Sequence, residues 1–71
     1  MNDRILQVMS KAFKEIVNEE SNMDSVDNWD SLNHVNMIVM LEREFNIEIP
    51  DDVVGNMTSY KLVELNVKKY V

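Results

Sequence analysis

The sequence predicts an all-α fold, a small bundle of three main helices plus one short helix, in a single domain spanning residues 1–71. Three observations predict it. One Gly and one Pro are too few turn residues for a compact all-β domain of this size. Apolar residues recur at spacings of three and four in three separate stretches. The 71 residues are 45% apolar, which suits one small, ordered core.

The first helix follows from Ile5, Met9, Ala12, Phe13, Ile16 and Val17, an amphipathic series expected to run from about residue 3 to 17. Asn2 or Asp3 can cap its start. Residues 18–30, NEESNMDSVDNWD, lack helical period and are rich in Asn, Asp and Ser, so they form a long loop. Val26 and Trp29 are expected to pin that loop to the core. The second helix covers residues 31–45, with Asp30 or Ser31 at its start and Phe45 and Asn46 at its close. Ile47, Ile49 and Pro50 form an extended connector, because Pro disfavours helix at the residue before it. DDVVGN, residues 51–56, allows one helical turn stopped by Gly55 and Asn56. Thr58 can cap a last helix reaching about Tyr70, with Leu62, Leu65, Tyr60 and Val67 facing inward. Lys68 and Lys69 lie in its last turn, where positive charge suits the helix dipole.

Composition excludes several functions. The formal net charge is -6, a field that repels phosphate backbones, so no nucleic acid partner is expected. Proteins with basic patches are the expected partners. There are no cysteines, hence no disulfide, thiolate metal site or cysteine nucleophile. No stretch approaches the ~20 apolar residues of a membrane span. The N-terminus lacks the uninterrupted apolar run of a signal peptide. A soluble, cytoplasmic monomer is the expectation.

The second helix carries two apolar faces. At about 100° per residue, Val35 and Val39 fall within about 60° of Leu32. Met37, Ile38, Leu41 and Phe45 gather on the opposite side and are assigned to the core. Leu32, Val35 and Val39, bordered by Asn36, Glu42 and Arg43, are then a partly exposed strip with the character of a docking surface. Burial of this helix on all sides is the alternative.

The strip begins beside the stretch WDSLNHV, residues 29–35, which places Asp30, Ser31 and His34 within five positions. A hydrolase triad fits poorly. Asp30 cannot easily reach behind the His34 ring, and no G-x-S-x-G elbow or glycine-rich oxyanion loop is present. Asp24, Asp27 and Asp30 recur every three residues, but a calcium loop needs alternate oxygen ligands and a glycine. One histidine cannot make a zinc site. No metal is therefore expected. Two readings of Ser31 remain. It is a helix cap, with Asp30 favouring the positive helix end. Or it is an attachment site, where the free N–H groups of a helix start stabilise a phosphodiester on its hydroxyl.

Taken together the chain resembles the acyl carrier protein family. The resemblance rests on D-S-L at Asp30–Leu32, followed by VNMIVMLEREFNIEIP from Val35 to Pro50, then DDVVGNMTS and a final amphipathic helix. It covers essentially all 71 residues. It implies that a phosphopantetheinyl transferase joins 4′-phosphopantetheine from coenzyme A to Ser31, flanked by the motif residues Asp30 and Leu32. The terminal thiol of that arm then holds an acyl or aminoacyl group as a thioester. A family member is not an enzyme; it presents its cargo to loading and using enzymes. Met37, Ile38, Leu41, Phe45, Met57, Leu62 and Leu65 would line a shelter for that cargo. Asn33 and Asn36 stand where carriers of fatty-acid synthesis often have acids, and Arg43 interrupts the E-R-E run. The W-D-S-L-x-H form looks more like carriers dedicated to a specialised pathway. His34 is expected at the surface or just behind the site. A small helical interaction module without a prosthetic group is the alternative function.

Overall fold

A computed structural model describes residues 2–71. The elements run α1 (Asn2–Phe13), α2 (Ser31–Phe45), α3 (Asp51–Val54) and α4 (Tyr60–Tyr70). Among the described residues the only β pairing is an isolated antiparallel bridge between Asn22 and Ser59. The all-α expectation holds, and the chain folds into a body of 27 × 24 × 17 Å.

α1 buries Ile5, Val8, Met9, Ala12 and Phe13, one stripe at helical spacing, against α2 and α4. It stops at Phe13, four residues short of the expected end. Lys14 turns left-handed at φ 55, and the Glu15 N–H donates back to Ser10 O at 3.3 Å. This wrap-around bond satisfies a carbonyl of the last turn. Ile16, expected inside, is therefore 92% exposed. Val17 returns to the core instead, its N–H donating to Ser10 Oγ.

The long loop is ordered by its own small polar residues. Asn18 Oδ1 accepts from Glu20 N at 2.8 Å, and Asn22 Oδ1 accepts from Asp24 N and Ser25 N. These bonds mimic backbone turns. Val26 and Trp29 are buried, as expected of pins, and Trp29 stacks on Phe13 at 4.7 Å between ring centroids. Asn28 ties both ends together: its Nδ2 donates to Phe13 O and its N–H donates to Glu15 Oε2.

α2 keeps its expected bounds and closes at Asn46, left-handed at φ 54. The following connector is held by Glu42, whose Oε2 accepts from Ile49 N at 2.9 Å. α3 is one turn, but Gly55 is not a left-handed stop. Its φ is -65, so its conformational freedom is not used there.

α4 differs from expectation at its start and in its facing. Ser59, not Thr58, caps it, its Oγ accepting from Leu62 N at 3.2 Å. The loop fixes which side turns inward. Tyr60 N donates to Ser21 O and Met23 N donates to Thr58 O. With Tyr60 held inside, Val63 and Val67 complete the buried stripe. Leu62 and Leu65 fall on the opposite side, 38% and 64% exposed. They are not core residues.

Candidate functional site

The start of α2 is built so that Ser31 has no structural task. Asp30 is the cap: its backbone is extended, and its Oδ1 accepts from Asn33 N at 2.9 Å. Its carbonyl takes the His34 N–H at 2.8 Å, beginning the helical ladder. Asn33 adds a brace from Nδ2 to Asn28 O. Ser31 is therefore the first helical residue rather than the cap, exposed, with its hydroxyl unbonded among the described residues. The reading of Ser31 as a helix cap is excluded by this geometry. The first-turn N–H groups beside it and the aligned peptide dipoles favour a negative group at this point.

His34 is not at the surface. It is 8% exposed and sits between two elements. Trp29 Nε1 donates to His34 Nδ1 at 2.9 Å, and His34 Nε2 lies 2.8 Å from Val54 O. An indole N–H can only donate and a carbonyl can only accept, so the ring carries its proton on Nε2. His34 thus fastens the loop, α2 and α3 to each other. It is a brace behind Ser31 and not a base beside it. Its sequence phase held this signal: on the wheel that placed Leu32 outside, His34 falls with Leu41 on the core side.

The two faces of α2 separate as expected. Met37, Ile38 and Leu41 are buried, and Phe45 is half-buried against the core with Arg4 over its ring at 4.7 Å. Leu32, Val35 and Val39 are 73%, 54% and 38% exposed. Asn36 and Arg43 are exposed along the same strip. Glu42 departs from its expected role, because its half-buried carboxylate is already held by the Ile49 N–H. It braces the connector rather than offering a free charge at the border.

Of the expected cargo shelter, Met37, Ile38, Leu41 and Met57 meet in the core, while Leu62 and Leu65 lie outside it. Tyr60 and Val63 take their places as fully buried side chains. Burial, and then a 2.9 Å hydrogen bond to Glu64, hold the Tyr60 phenol well above its ordinary range. Among the described residues no three His, Asp or Glu side chains converge as a metal ion would require, and no helix is long and apolar enough to cross a membrane.

No family model matches the chain. It is 39% identical over 67 residues to the acyl carrier protein of Buchnera aphidicola subsp. Baizongia pistaciae, covering 94% of this chain and 85% of that protein. The chain belongs to the acyl carrier protein family. Its fold agrees with the solution structure of the holo acyl carrier protein from Geobacter metallireducens, with a TM-score of 0.83 at 24% identity. That match covers 96% of this chain and 82% of the other. Membership makes this protein a carrier of acyl groups rather than a catalyst, and 4′-phosphopantetheine is the prosthetic group such carriers use. The site fits that group: an unengaged hydroxyl stands at a helix start, where a phosphodiester gains from nearby N–H groups.

Proposed function

We propose that Ser31 is the attachment residue, its Oγ esterified by 4′-phosphopantetheine, and that Asp30 and Leu32 flank it for the modifying enzyme. The observation that carries this reading is the division of labour at the start of α2: Asp30 caps the helix and leaves the Ser31 hydroxyl unbonded. When bound, the arm supplies a thiol that holds acyl or aminoacyl cargo as a thioester. The chain itself anchors the phosphodiester at the helix start and offers Leu32, Val35 and Val39 as the apolar grip for its partners, with Asn36 and Arg43 beside them.

A phosphopantetheinyl transferase and acyl- or aminoacyl-handling enzymes are those partners. Asp30 at the exposed helix start, preceded in sequence by Asp24 and Asp27, favours enzymes with a basic patch at this end. The protein acts as a single-domain cytoplasmic monomer. The packed residues Met37, Ile38, Leu41 and Met57, with Phe45 at their edge, shelter a cargo chain only by moving apart, since Met37, Leu41 and Met57 are fully buried.

The reading is tested by incubating the protein with coenzyme A and a broad-specificity transferase and measuring its intact mass. A gain of one phosphopantetheinyl group that is absent from Ser31→Ala is the expected result. No gain, with partner binding still lost on Val35→Asp, would instead describe an interaction module without a prosthetic group.

A further inference from the structure

Outside Ser31 and the buried core, one feature concentrates chemistry. A groove of about 720 Å³ runs between α1 and α2, floored by Leu6, Val8 and Met40. Three of the chain's 7 Lys and Arg residues line it: Arg4, Lys11 and Arg43. One acid, Glu44, also lines it and is already engaged by Arg4 at 2.9 Å. Lys11 and Arg43 have no ion-pair partner among the described residues. The groove therefore holds an excess of positive charge in a chain whose net charge is -6. Its size is in the range of about 300–1,000 Å³ that suits small ligands, and apolar walls with a few convergent polar groups are the usual make-up of such sites.

The groove adjoins the exposed side of α2. Met40 and Arg43 continue the surface that begins with Leu32 and includes Asn36 and Val39. Arg43 lies twelve residues after Ser31, about 18 Å along the helix axis. A chain carried from Ser31 can reach it over exposed apolar side chains without opening the core. The unpaired cations choose the kind of chain. An aliphatic end gains only the floor, whereas a carboxylate end also gains Lys11 and Arg43.

We infer that the α1–α2 groove receives the far end of a carried acyl chain that terminates in a carboxylate. This rests on Ser31 as the attachment residue.

The test loads the protein from suberoyl- and octanoyl-coenzyme A with a broad-specificity transferase, verifies each product by intact mass, and compares NMR spectra with the arm-only form. The suberoyl form is expected to shift the Met40 methyl and Arg43 side-chain resonances, and the octanoyl form to shift them much less. The shifts should shrink as salt is raised, because exposed charges are screened. A Lys11→Glu variant, which reverses a groove charge on α1 away from the partner strip, should gain the same mass and lose most of the difference between the two cargoes. Correct masses with equal shifts for both cargoes, or suberoyl shifts centred on Met37 and Met57, would overturn the groove while leaving Ser31 intact. Suberoyl shifts that persist unchanged in Lys11→Glu would do the same and leave the cations to an acidic surface of a partner. Absence of any mass gain would overturn the attachment residue, and the groove with it.

Discussion

Two helices of this protein begin at a serine, and the two serines do opposite things. At α4, Ser59 is the cap: its Oγ accepts from Leu62 N, and the next residue is tied to the loop through Tyr60 N and Ser21 O. At α2, Asp30 takes that work and Ser31 is displaced one position into the helix with nothing to hold. The short acidic side chain before Ser31 is thus what converts a structural serine into a chemically available one. The surroundings differ in the same sense. The exposed apolar residues of α2 start at Leu32, next to the free hydroxyl, whereas Leu62 and Leu65 of α4 stand beside a hydroxyl already in use.

The strongest perturbation of this contrast is removal of what supports the α2 start from behind. Trp29→Ala deletes a buried ring stacked on Phe13 and takes the donor from His34. It should cost about 3–5 kcal/mol, read as a large drop in the urea midpoint, and in a domain this small that threatens folding itself. Next come the caps. Ser59→Ala and Asp30→Ala should each cost about 1 kcal/mol, while Ser31→Ala should stay within about 0.5 kcal/mol of wild type. Comparable losses for Ser31→Ala and Ser59→Ala would erase the distinction between the two serines.

Tyr60→Phe sharpens the α4 side. Losing the bond to Glu64 should cost about 1 kcal/mol at neutral pH. The folded phenol is raised above its unfolded value, so its contribution is complete below about pH 10 and is lost as pH climbs from there toward the folded value. Denaturation between about pH 8 and pH 11 should therefore be less pH-dependent in Tyr60→Phe than in wild type. The smallest stability effects belong to Val35→Asp and Leu65→Asp, each within about 0.5 kcal/mol. They should part in transferase kinetics: Val35→Asp slows loading of Ser31, and Leu65→Asp leaves it near wild type.

Much of this was legible in the sequence because it depends on local chemistry. The bounds of α2, its two faces and the anchoring of the loop by Val26 and Trp29 follow from periodicity and from the cost of exposing large apolar groups. The features that local pattern does not determine depend on contacts from distant segments. α4 offers two apolar stripes of similar quality, Leu62 with Leu65 and Val63 with Val67. The bonds from residues 21 and 23 of the loop to residues 58 and 60 select between them. α1 ends early because Lys14 turns left-handed, at a position marked by neither Gly nor Pro. His34 lies just behind the site, one of its two expected places, and contacts from Trp29 on the loop and Val54 on α3 decide between them. Glu42 has the helix phase of a surface charge, but the Ile49 N–H, seven residues on, occupies its carboxylate.

Ser31, and not another hydroxyl, is the residue proposed to carry the prosthetic group. Intact mass with peptide mapping, after reaction of wild type, Ser31→Ala and Ser59→Ala with coenzyme A and a transferase, tests it most directly. One phosphopantetheinyl group is expected on wild type and on Ser59→Ala, located on the peptide containing Ser31, and none on Ser31→Ala. An added group on Ser31→Ala, or an unmodified wild type, would contradict it.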